Sequence, residues 1–185
     1  MSVRLEWMSR SRPLSWRTLL GVAMGLAVAC SCGGGDPLVD EAEKRYREND
    51  LDGALALFEQ ALDRDPDLPA AYYGIGVIHY TREQPAAALE PLRRAVALAP
   101  ESADYRMVYA DTLAGLGRYD DAIAEYETAL ALSPGLTRAY YSIGIAYYNK
   151  RSYEESVRWL RRYLSEEPRA ANRDQIYQMI RVLED

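Results

Sequence analysis

The 185-residue sequence holds one histidine, one phenylalanine and two cysteines. A lone histidine cannot supply a His–His metal pair, and two cysteines by themselves do not complete a zinc site. The sequence has no glycine-rich phosphate loop and no G-x-S-x-G nucleophile turn. Gly33 to Gly35 follows no strand and reads as linker. No cofactor or small-molecule substrate is therefore expected, and the chain reads as a protein that is not an enzyme. Positive charge is also scarce. Twenty-two Lys and Arg stand against 28 Asp and Glu, which speaks against nucleic acid, whose binding rests on clustered Lys and Arg. The apolar run from Leu19 to Ala29 falls short of the roughly 20 residues needed to span a bilayer.

Regular spacing is what the sequence does have. Prolines stand at 66, 100, 134 and 168, a period of 34 residues. Twelve residues before them stand Ala54, Ala88, Ala122 and Ser156; eight before, Phe58, Leu92, Tyr126 and Leu160. Five before stand Ala61, Ala95, Ala129 and Tyr163; twenty-four before, Ala42, Gly76, Ala110 and Gly144. Self-similarity of this length marks a stack of repeats. Each unit carries apolar residues at helical spacing in two runs, broken in the second unit at Glu83-Gln84-Pro85. The small residues let helices approach closely, since interaxial distance follows the side chains at the contact. The proline ends the second helix. Two positions depart from the pattern. Tyr163 replaces a small residue, so a looser or ring-filled last interface is expected. Pro91 lies inside a second helix, where proline costs about 3 kcal/mol and bends the axis unless packing compensates.

The pattern resembles the tetratricopeptide repeat, a helix-turn-helix of 34 residues. The resemblance implies an all-α superhelical solenoid of about four repeats. They run over 37–68, 69–102, 103–136 and 137–170, and 171–185 forms a capping helix with Ile176, Met179, Ile180 and Leu183 on one stripe. The first helix of repeat one is degenerate. Glu41 and Arg45 stand where Ile75 and His79 stand later, as suits a solvated terminal face. His79 falls on an internal stripe and reads as a packed histidine. Asp36 and Pro37 read as N-cap and first-turn proline, and Asp120-Asp121 and Glu154-Glu155 open second helices.

Residues 1–17 hold four arginines and one acid, ahead of the short apolar run and small residues. That order reads as a secretory signal over 1–29. A cysteine directly after small residues resembles the lipobox of bacterial lipoproteins. It implies a lipid-modified Cys30, with Cys32 the second candidate and Ala27 standing where that family has leucine. The segment from Met8 alone also makes a complete signal, which offers Met8 as the start; an uncleaved anchor and plain secretion with a Cys30–Cys32 disulfide are the alternatives to acylation. Ser31 after the cysteine resembles the outer-membrane default, facing the periplasm if the source is Gram-negative. Residues 30–36 form a short linker. Removing 1–29, with four bases and one acid, takes the formal charge from −6 to −9.

A stack of such repeats curves, with first helices on the concave side. The stripe expected to face that groove contains Tyr46, Tyr73, Val77, Tyr80, Met107, Asp111, Tyr141, Ile145, Tyr148 and Asn149. Aromatic and apolar surface of this kind suits a protein or peptide partner. Relatives that hold chaperone tails clamp a carboxylate with Lys and Asn in that stripe. The aligned positions here carry neither, so that function is not implied. Residues 150–173 hold seven bases and four acids, and Arg158, Arg161 and Arg162 form a stripe that is either a solvated face or a docking patch for an acidic partner. The reading is a non-catalytic interaction scaffold, lipid-anchored in a bacterial envelope. Lipoproteins with this repeat resemble factors that help type IV pilus secretins assemble. A soluble periplasmic carrier and an adaptor subunit of an envelope enzyme are the alternatives.

Overall fold

Proline sets the length of every second helix. The computed structural model describes residues 36–184. In chain order the helices are α1 (Pro37–Arg47), α2 (Leu51–Arg64), α3 (Pro69–Thr81), α4 (Pro85–Leu98), α5 (Ala103–Gly115), α6 (Tyr119–Leu132), α7 (Thr137–Asn149), α8 (Tyr153–Glu166) and α9 (Arg173–Glu184). Each of α2, α4, α6 and α8 stops two residues before a repeat proline. The intervening Asp65, Ala99, Ser133 and Glu167 have left helical geometry, with φ of −137°, −132°, −139° and −126°. A following proline imposes that geometry. At the other ends, Asp36 caps α1 by accepting the Leu38 N–H at 2.7 Å, and Asp50 caps α2 through Gly53 N–H at 3.0 Å.

Packing pairs α1 with α2, α3 with α4, α5 with α6 and α7 with α8, and each pair stacks on the next. The architecture is an all-α superhelical solenoid of helix-turn-helix units. This stack is a unit in itself, Gly35–Asp185. Its small residues sit where helices meet: Ala54, Ala88, Ala122, Ala61, Ala95 and Ala129 have no exposed surface. At Gly76 a Cβ would lie 2.4 Å from Cγ of Leu92, and at Gly144 it would lie 2.8 Å from Leu160. Any larger residue there would push α3 off α4, or α7 off α8. Ser156 holds the fourth unit in the same place and donates its hydroxyl to the Gly144 carbonyl at 2.8 Å. Tyr163 fills the last interface with its ring, 5.4 Å from that of Tyr141. Its hydroxyl reaches Asn172 at 3.3 Å. Helix α4 continues through Pro91. Helix α9 buries Ile176, Met179 and Ile180 against Val157, Leu160 and Leu164, closing the end of the stack.

One regularity escapes the sequence pattern. The turn within each unit passes through a residue with positive φ: Asn49 (64°), Glu83 (62°), Gly117 (75°) and Arg151 (65°). These four stand one period apart, and just one is glycine. Left-handed backbone costs a non-glycine L-residue roughly 1–2 kcal/mol. Arg151→Gly is therefore expected to stabilise the fold by up to about 1 kcal/mol, the gain being offset in part by the freer unfolded chain. Thermal unfolding of the variant checks this. A midpoint at or below that of the native chain would refute it.

Candidate functional site

First helices touch the first helices of neighbouring units as well as their own partners. This puts α1, α3, α5 and α7 on the inner side of the curve. An inner first helix meets its own partner and both neighbouring units, as α3 illustrates. Gly76 faces Leu92 of its own partner, Gly74 faces the Phe58 ring of the preceding unit, and Tyr73 stacks on Tyr105 of the following one. Less of each such helix faces solvent than the sequence implies.

Three of the expected groove residues are not on the surface. Val77, Met107 and Asp111 are buried, at 4%, 3% and 6% exposure. Their stripe points into the contact between units rather than out of it. Tyr46, Tyr73 and Tyr80 are half-buried. The Tyr46 hydroxyl meets that of Thr81 at 3.1 Å, and Tyr73 stacks on Tyr105 with ring centres 4.4 Å apart. Tyr141, Ile145 and Tyr148 pack on the cluster that α9 completes. The capping helix thus takes up much of the surface expected of the fourth unit, where Asn149 stays exposed. His79 is half-buried, and its Nδ1 lies 3.1 Å from Oε1 of Gln84.

The structure assembles a polar cluster that periodicity does not reveal. Asp111 of α5 accepts the Tyr126 hydroxyl at 2.6 Å and pairs with the Arg138 guanidinium of α7, tying the third unit to the fourth. Burial pushes the Asp111 carboxyl above its usual range, against the pull of Arg138 and Tyr126. Asp111 in turn raises the pKa of Arg138. Burial likewise lifts the Tyr73 and Tyr80 hydroxyls, both of which feel the Arg138 charge. Arg138 and Asp104 stand three residues before Tyr141 and Met107, where the stripe read from the sequence begins, and Tyr105 stands two before Met107. The signal available was the opposite charge of Asp111 and Arg138, 27 residues apart.

On the outer side the arginine stripe is largely neutralised. Arg161 pairs with Glu184 at 2.6 Å and Arg162 with Glu166 at 2.7 Å, while Arg162 also lies over the Tyr140 ring at 5.7 Å. Arg158 is exposed. Cys30, Cys32 and the expected signal lie outside the described residues. Among the described residues no helix is long and apolar enough to cross a membrane.

Comparison with known proteins bears on the whole arrangement. Residues 39–103 and 137–169 match family models described as tetratricopeptide repeat, and 110–150 match one described as TPR repeat. A TPR repeat-containing protein of Methanocaldococcus jannaschii, MJ1428, is 31% identical over 110 residues, 60% of this chain and 19% of that protein. The peroxisomal targeting signal receptor of Candida albicans is 28% identical over 118 residues, 63% of this chain and 19% of the receptor. The chain thus spans about one fifth of the length of these curated relatives. Among solved structures, PilF of Pseudomonas aeruginosa superposes with a TM-score of 0.67 at 19% identity, covering 79% of this chain and 65% of PilF.

Proposed function

Because this chain is built from tetratricopeptide repeats, we propose that it is a non-catalytic interaction scaffold that holds a peptide or partner helix along its concave side. One observation carries the reading: Tyr73 and Tyr105 stack across two units while both remain partly open to solvent. Ordered tyrosines offer large contact area with a hydrogen-bonding tip and little rotamer entropy to lose. The name of the peroxisomal relative, a targeting signal receptor, accords with a peptide ligand.

The proposal extends to the cell envelope. A basic start, a short apolar centre and small residues before Cys30 support a bacterial lipid anchor, with Cys32 the second attachment point. Assembly of an envelope complex, a pilus secretin among them, is the task such an anchored scaffold would serve. An intact mass beginning at an acylated Cys30 is the expected result for protein taken from native membranes. A mature chain without acylation would overturn the anchor and leave the groove untouched.

The groove is tested by capture from solubilised native membranes with three proteins: the native chain, a Tyr73→Ala/Tyr105→Ala variant and an Arg158→Ala variant. Partner recovery is expected to fall about tenfold or more with the tyrosine pair, as for truncated interface hot spots, and to survive Arg158→Ala. A partner that ignores a still-helical tyrosine variant binds elsewhere. One lost with Arg158→Ala would move the site to the outer face.

A further inference from the structure

The repeat register lets one half of the groove be read from the other. Arg138 stands second in its unit's first helix, and Asp111 stands in the middle of the preceding first helix. Stepping back by whole periods, Asp111 becomes Val77 and then Glu43, while Arg138 becomes Asp104 and then Ala70. The place that holds an Asp–Arg pair between units three and four therefore holds Glu43 and Ala70 between units one and two. Alanine cannot answer a carboxylate. Glu43 is half-buried, its carboxyl is lifted above the usual range by burial against the pull of Arg47 one turn on, and it closes no ion pair among the described residues.

Around that unanswered acid the groove is built for a cation. Both Glu43 and Asp104 act on the Tyr105 hydroxyl, and Asp104 acts on that of Tyr73 as well. By register Glu43 lies at the first turn of α3, one turn before Tyr73, and the exposed Asp104 directly precedes Tyr105, so both charges fall within electrostatic reach of the stacked rings. A guanidinium or ammonium beside tyrosine gains from the ring quadrupole as well as from the acids. Arg138, the other cation near Tyr73, is committed to Asp111. The first unit around the seat is acidic, with eleven acids and four bases over 36–67. An acidic surface of this kind draws a basic segment.

We propose that Glu43, Asp104 and the Tyr73–Tyr105 stack form a seat across units one to three for a lysine or arginine side chain of the bound partner, which answers Glu43 as Arg138 answers Asp111. This rests on the concave side being the binding surface.

The test titrates labelled short peptides into the full chain in mild detergent and reads anisotropy. The peptides alternate alanine with lysine, glutamine or glutamate. Lysine peptide is expected to bind best, and Glu43→Gln to weaken it roughly tenfold, the scale of a partly desolvated cation–aromatic and ionic contact. Ala70→Arg places the missing arginine in the chain itself. It is expected to raise the unfolding midpoint and to abolish the preference for lysine. Ala56→Arg adds the same charge on the exposed outer face of α2 and is expected to leave most of the preference intact. Equal binding of lysine and glutamine peptides, or no binding by any of the three, overturns the seat. So does a preference that Ala70→Arg and Ala56→Arg erode alike, because general attraction to an acidic protein would then explain it. Loss of a native partner with Tyr73→Ala/Tyr105→Ala in any of these cases would keep the groove while removing the seat.

Discussion

Arg138→Met is expected to destabilise the fold by about 3 kcal/mol, the low end of what breaking a buried ion pair costs. The low end applies because the Arg138 side chain keeps 38% of its surface exposed, whereas Asp111 keeps 3%. The variant strands a carboxylate among Tyr126, Tyr80 and the apolar wall of α5. Adding Asp111→Asn removes the stranded charge while keeping an acceptor for the Tyr126 hydroxyl, so the double variant is expected to recover most of the loss. The dependence on pH follows from the direction of the Asp111 shift. Burial raises its folded pKa above the unfolded value, so the fold holds this proton more tightly than the unfolded chain does. The contribution is fully present below the unfolded carboxylate range and is lost as pH rises through the folded pKa. Without Arg138 the folded pKa climbs further. The gap between the native chain and Arg138→Met should therefore narrow as the solution is acidified through the carboxylate range. Urea unfolding at a series of pH values checks this, and a gap that ignores pH would mean that lost packing, not the stranded charge, explains the variant.

Phe58→Ala carries the other large effect. The ring is 2% exposed and faces Gly74 of the next unit, where a Cβ would sit 2.2 Å from it. Truncating a buried phenylalanine costs about 3–5 kcal/mol. In a stack held by nearest-neighbour contacts the damage should stay local. Amide exchange in α1 and α2 is expected to rise steeply, while α7 to α9 remain protected. A uniform rise across all helices would instead show that the units unfold as one.

Much of this architecture is legible in the sequence because its determinants are steric and local. A proline ends a helix wherever it stands, and an alanine or glycine every period marks where helices touch. Asp36, Pro37 and the stripe of Ile176, Met179 and Ile180 are found where local chemistry puts them. The groove was less legible. Assigning a stripe to solvent assumes that a helix has one buried face. Here a first helix meets its partner and both neighbouring units, so Val77, Met107 and Asp111 went inside and Arg138 and Tyr105 came into the groove. The positive-φ turns were hidden for another reason. Asn49, Glu83 and Arg151 do not share a side-chain type with Gly117; what they share is a backbone shape, which the surrounding packing imposes.

That shared shape has a consequence for how such a chain can change length. Adding or removing one residue inside a helix turns everything beyond it by about 100° and sets each small residue against the wrong neighbour. Adding or removing a complete period meets no such obstacle. Leu68 joined to Ala103 would hand the second unit's place to the third with proline and turn back in phase, leaving Val108 in the register of Gly74 opposite Phe58. The protein is thus written in a unit of inheritance longer than a residue and shorter than a domain. Its groove can be lengthened by duplication with every turn and helix end kept in phase, leaving the side chains at the new junction to adapt, provided the copy lies between the solvated first helix and the closing α9.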